Sequence, residues 1–111
     1  MAKNYINNKD FYEALKKYRE ECKESEILGV EQPIIPDYIG ECFYKIATRL
    51  AYKPNFINYT YRDEMISDGL ENAVIAAVKF DPSQSENPFA YFTQIIWFAF
   101  LRRIQKEKKH Q

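Results

Sequence analysis

The segment Phe89–Leu101 is apolar on almost every side of any helix it could form. Phe89, Tyr91, Phe92, Ile95, Ile96, Trp97, Phe98, Phe100 and Leu101 crowd into it. A helix with no polar face must either run through the middle of a bundle or offer part of its surface to a partner. The segment has its own start and stop. Asn87 can cap its first turn, Pro88 fits the first helical position, and Arg102-Arg103 closes its apolar part. Its unbroken run Ile95–Leu101 is far shorter than the roughly 20 residues a membrane helix needs, so it is core or interface.

The rest of the chain must therefore supply helices to surround it, and the spacing of apolar residues does so. Only three glycines occur, and strand-like alternation is nowhere sustained. A first helix is expected from Asn8 to about Glu24, capped by Asn7 or Asn8, with Phe11, Leu15 and Tyr18 inward. Ser25–Ile35, holding Gly29 and Pro33, reads as a loop. A second helix opens at Pro36-Asp37, carries Ile39, Phe43, Ile46 and Leu50 on one face, and ends before Pro54. A turn segment with Asn55 and Asn58 leads to a third helix, Tyr61–Lys79, whose expected seam is Ile66, Leu70, Ala73, Ala77 and Phe80. Phe80-Asp81-Pro82 breaks it, and the fourth helix runs from Pro88 to about Lys108. The expected fold is all-α, a compact bundle of about four helices in a single domain over 1–111. Residues 1–35 form an N-terminal helix and loop, and 36–111 form the main unit.

The chain carries 16 basic and 16 acidic residues, so net charge says nothing about partners while its distribution does. Between Arg62 and Glu71 one cation faces four carboxylates; between Arg102 and Lys109 five cations face one. Glu64, Ser67, Asp68, Glu71 and Ile75 share a stripe of the third helix that runs into Val74. Carboxylates bordering an aliphatic spot suit protein docking, where charge steers and apolar contact holds. The rings of the fourth helix lead directly into Arg102, Arg103, Lys106 and Lys109. Rings stack on unpaired bases, worth roughly 1–3 kcal/mol each, and cations hold phosphates. Five cations exceed what compensation of a helix dipole needs.

Chemistry at a catalytic centre is not expected. His110 is the single histidine, Cys22 and Cys42 lack metal-ligand spacing, and no glycine-rich phosphate loop is present. No catalytic residue, metal or cofactor is assigned. Two cysteines and no apolar run of membrane length fit a reducing cytoplasm.

Three motifs in order resemble region 2 of sigma-70-type transcription factors. They are Glu64-Met65-Ile66-Ser67-Asp68-Gly69, Ala76-Ala77-Val78-Lys79-Phe80-Asp81, and Asn87-Pro88-Phe89-Ala90-Tyr91-Phe92-Thr93. Within that family the chain is most similar to the late-transcription factors of T4-type phages, which share Asn-Asn-Lys near the start and the Gln at position 94. The resemblance implies a sigma-domain-2 fold and an activity as a late-transcription sigma factor in the cytoplasm of a bacterial host. Glu64, Ser67, Asp68, Glu71 and Val74, with Ile75 beside them, would dock on the clamp helices of the largest subunit of the RNA polymerase core. Phe80, Asp81, Phe92 and Ile95 would lie near a flipped base of an AT-rich −10-like promoter element, and Tyr91, Gln94 and Trp97 would share that DNA face. Arg102, Arg103, Lys106 and Lys109 would follow promoter DNA upstream.

Departures from the pattern carry their own expectations. Ile95-Ile96 stands where the family has a Trp pair, and Phe98 where its first arginine would be, which implies weaker promoter opening without help. A sliding clamp or coactivator is implied as a further partner, reached through a C-terminal segment that this sequence lacks, as a truncated or compact version would. The alternative is a polymerase-binding regulator of anti-sigma or coactivator type that never contacts DNA.

Overall fold

A computed structural model describes residues 5–109. It contains four helices, α1 (Asn8–Leu28), α2 (Asp37–Ala51), α3 (Arg62–Lys79) and α4 (Pro88–Lys109), and no strand among the described residues. The all-α fold expected from periodicity is thus the observed one.

Asn7 caps α1, its Oδ1 accepting from the Lys9 and Asp10 amides at 3.0 and 3.1 Å. The helix continues four residues past the expected Glu24. It ends at Gly29, whose φ of 69° is the left-handed geometry that closes a helix. The Gly29 amide donates to the Glu26 carbonyl and the Val30 amide to the Ser25 carbonyl, the paired bonds of a Schellman cap. The Gly that suggested a loop is therefore the stop signal of a longer helix. Pro36 precedes α2 in extended geometry, and Ile39, Phe43, Ile46 and Leu50 are all buried as expected.

α3 is turned slightly from the expected seam. Met65, Gly69, Ala73 and Ala77 are its buried line, while Ile66 and Leu70 sit half-buried at its edge. Small residues face α4 because the two helices nearly touch. A Cβ on Gly69 would stand 2.9 Å from both Ile96 Cγ2 and Phe100 Cε1, closer than side chains tolerate. Phe80 then leaves the helix in extended geometry with its ring fully inside.

α4 packs chiefly against α3 and carries fully buried rings of the core. Phe92, Ile96 and Phe100 are completely buried, and Ala99 nearly so. Phe92 lies 4.7 Å from Phe43, 5.8 Å from Phe11 and 5.7 Å from Phe80, ring centre to ring centre. One aromatic cluster thus joins all four helices, and α1 belongs to the same core as the rest. Phe56, in the connection before α3, is also buried, edge-on to Trp97 at 4.8 Å and Phe100 at 5.3 Å. Two asparagines lock the start of α4. Asn87 Oδ1 accepts from the Ala90 amide at 3.1 Å and from Asn8 Nδ2 at 2.8 Å, and Asn8 Oδ1 accepts from the Phe89 amide at 3.0 Å. No helix is long and apolar enough to cross a membrane among the described residues.

Candidate partner and nucleic-acid interface

Among the exposed residues of α3, which also include Asp63 and Lys79 at its ends, Glu64, Ser67, Glu71 and Ile75 are spaced three, four and four apart along one face. Ile75 is 55% exposed, a large aliphatic surface one turn beyond the Glu71 carboxylate. Val74 is half-buried against the core. These five residues form the acidic-aliphatic stripe read from the sequence.

Asp68 departs from that stripe. It points along the α3–α4 seam, where both oxygens meet Arg103: Nε donates to Oδ2 at 2.6 Å and a terminal nitrogen to Oδ1 at 3.0 Å. Arg103 also donates to Glu107 at 3.0 Å. These carboxylates raise the guanidinium pKa further above its already high value. Next to this fork, Arg102 donates to Asn72 Oδ1 at 3.0 Å. The stripe has little compensating Lys or Arg four residues on within α3; for Asp68, α4 supplies one across 35 residues of sequence. Asp68 and Arg103, assigned to different partners, are bound to each other, so in this state neither is free for an external contact.

The expected base-binding residues divide by depth. Phe80 and Phe92 are interior, with no ring face available for stacking, which corrects their assignment as contact residues. Their rings support Tyr91 instead, lying 5.4 and 5.0 Å from it in edge-to-face contact. Trp97 and Ile95 are half-buried. Asp81 is exposed but occupied. Its Oδ1 accepts from the Ser83 hydroxyl at 2.6 Å and the Ser83 amide at 2.9 Å, and these bonds hold its pKa below the usual carboxylate range. It shapes the loop, which Tyr12 pins by donating to the Pro82 carbonyl at 3.0 Å. What remains outside is Tyr91, Gln94, Phe98, Leu101, Arg102 and Lys106, again one helical face. Phe98, 48% exposed, and Leu101 were not assigned from the sequence. Lys106 and Lys108 are exposed and extend the basic end. The Lys109 side chain and His110 lie outside the described residues.

A second cationic surface escaped the sequence reading. Lys45, Arg49 and Lys53 recur every four residues on the outer face of α2 and beyond its end, a signal visible in the spacing alone. Arg49 lies 4.1 Å over the Tyr5 ring, and Tyr5 meets Phe89 edge-on at 5.6 Å. Tyr5, Arg49, Tyr52, Lys53, Phe89 and Thr93 line a cleft of about 690 Å3 with no carboxylate on its wall, while Lys45 lies outside it. Thr93 Oγ1 is buried there without a partner. Aromatic walls and unpaired cations suit an anionic aromatic group such as a nucleotide.

Among the described residues no group of three or more His, Cys, Asp or Glu side chains is placed to hold a metal. Both cysteines are buried and reduced, and burial pushes the Cys42 thiol pKa up. No protein-family model matches the chain, and no curated protein matches it.

Proposed function

We propose that the chain is a sigma-type specificity domain for late phage transcription, which binds the RNA polymerase core of a bacterial host and recognises and helps melt an AT-rich −10-like element. The observation that carries this reading is the α3 stripe. Glu64, Ser67 and Glu71, which the motif resemblance assigns to polymerase and the charge pattern to protein docking, lie exposed with Ile75 along one face of α3. Glu64 and Glu71 steer a basic partner surface, and Ile75 with part of Val74 supplies the apolar contact.

On α4, Tyr91 and Phe98 offer rings, Gln94 lies between them, and Arg102 and Lys106 follow for phosphates. Holding one base out of the stack costs a few kcal/mol, least at AT-rich sites. One or two ring contacts at roughly 1–3 kcal/mol each offset that. Phe80 and Phe92 act from inside, fixing the Tyr91 ring. With Ile95-Ile96 in place of a Trp pair, opening depends on polymerase and on a further partner such as a sliding clamp or coactivator. The expected setting is the host cytoplasm, away from membranes.

The test combines the chain with core polymerase on supercoiled DNA carrying an AT-rich −10 element. Promoter-dependent initiation is expected. Glu64→Lys with Glu71→Lys should abolish core binding while leaving helix content unchanged. Core binding with no initiation on any AT-rich template would sink the sigma reading. It would favour the alternative, a polymerase-binding regulator that does not touch DNA. The burial of Phe80 and Phe92 and the pairing of Arg103 favour that alternative.

A further inference from the structure

Among the described residues, the most exposed aliphatic side chains lie at the far end of α1 and just beyond it. Ile27 is 85% exposed, Leu28 65%, Val30 60%, and Ile34 in the following segment 90%. Such a cluster is costly to leave in water, and patches of a few hundred Å2 mark interaction sites on soluble proteins. This end is well built. The Schellman cap at Gly29 fixes Ile27, Leu28 and Val30 relative to one another. Beyond it, Tyr18 donates to the Pro33 carbonyl at 2.9 Å and holds the next segment against α1. The aliphatic surface is therefore organised before any partner arrives, which lowers the entropic cost of binding.

Its charge identifies the partner's chemistry. Between Glu20 and Glu31 five glutamates face a single lysine, Lys23. Glu24 and Glu26 stand near the C-terminus of α1, whose last turn holds no basic residue. Carboxylates there oppose the helix dipole, an arrangement a cation from outside relieves. Beside the tip, Arg19, Cys22, Glu26, Val30 and Val78 are among the residues that line a small cavity of about 240 Å3, large enough for one inserted side chain.

We propose that the tip of α1 is a docking surface for a basic amphipathic helix of a partner protein. Apolar residues of that helix cover Ile27, Leu28 and Val30, and its lysines or arginines meet Glu24, Glu26 and Glu31. The surface does not depend on the polymerase or promoter reading.

The probe is a synthetic amphipathic helix made only of Leu and Lys, titrated into the full chain and followed by amide NMR. Shifts centred on residues 24–34 are expected, and none with a Leu/Glu helix of the same pattern. Ile27→Ser with Leu28→Ser should weaken binding by about tenfold or more, as loss of apolar anchors does. Both side chains are exposed, so the fold should hold; Glu24→Lys with Glu31→Lys is an independent arm expected to weaken binding in parallel. Shifts confined to the Glu64–Ile75 stripe, or affinity unchanged in both variants, would overturn the proposal. So would concentration-dependent self-association that Ile27→Ser with Leu28→Ser removes, because the occupant would then be a second copy of the chain.

Discussion

Adding one methyl group at Gly69 and the same methyl at Gly40 should move stability in opposite directions. Both glycines are helical, and alanine in a helix interior is favoured over glycine by about 0.5–1 kcal/mol. At Gly40, in the first turns of α2, a Cβ meets nothing within 4 Å, so Gly40→Ala should stabilise by about that amount. At Gly69 the new Cβ falls 2.9 Å from Ile96 Cγ2 and Phe100 Cε1. Both neighbours are fully buried, and neither is the loose end of a flexible chain. Forcing them apart costs about 1–3 kcal/mol, which offsets or exceeds the propensity gain. The measurable quantity is the difference between the two variants, about 1–3 kcal/mol, because propensity cancels. Urea unfolding followed by Trp97 fluorescence suits it, as this single tryptophan packs edge-on to Phe56 in the same core. In thermal unfolding the two should differ by about 4 °C or more. Equal stabilisation by both substitutions would refute the close α3–α4 approach, and with it the geometry that brings Asp68 to Arg103.

Phe92→Ala should lose about 3–5 kcal/mol of stability, while Tyr91→Ala should keep the fold and weaken single-stranded DNA binding by roughly 1–3 kcal/mol; thermal melts and oligonucleotide titration separate the two. Arg49→Ala with Lys53→Ala should reduce the slope of log K against log salt for a single strand by about 1.4, as loss of two phosphate contacts predicts; an unchanged slope removes the α2 cleft from the DNA path. Burial pushes the Tyr18 phenol up to about 12, against 10 in its unperturbed form. The unfolded chain releases that proton first, so stability from this group is complete below pH 10 and is lost as pH rises towards 12. A melting temperature that stays flat across that window would contradict the buried placement of Tyr18.

The helices were legible because their boundaries are set locally. Asn7, Pro36, Asn87 and Pro88 are start signals whose physics acts within one turn, and the apolar spacing of α1 and α2 gives the buried faces directly. The seam of α3 was misread by one position for a reason that lies outside α3. Gly69 carries no hydrophobic signal, yet it is buried because Ile96 and Phe100 need its empty space. Spacing counts large apolar residues and so chose Ile66 and Leu70, which sit at the rim. Phe56 was missed for the converse reason. It belongs to no helix, and only the position of Trp97 and Phe100 makes a buried plug of it.

The candidate site was half legible, and the division follows the same logic. Exposure on one helix is a local property, and the stripe Glu64, Ser67, Glu71 and Ile75 survived contact with the fold. Pairing between helices is not local. Asp68 and Arg103 are 35 positions apart, and on separate charge maps each reads as free for a different partner. Their bidentate contact makes each the first competitor for the other. A polymerase surface that needed Asp68 would have to break this fork and would leave Arg103 bound only to Glu107; a phosphate that needed Arg103 would strand Asp68 beside the α3 stripe. The pair fastens α4 to α3, and on the proposed reading the partners would use what it leaves outside. Glu64, Glu71 and Ile75 then form one face, and Tyr91, Phe98, Arg102 and Lys106 the other. On that division Asp68→Asn and Arg103→Gln belong with the stability variants, and a loss of binding in them that matched their loss of folded protein would carry no information about either face.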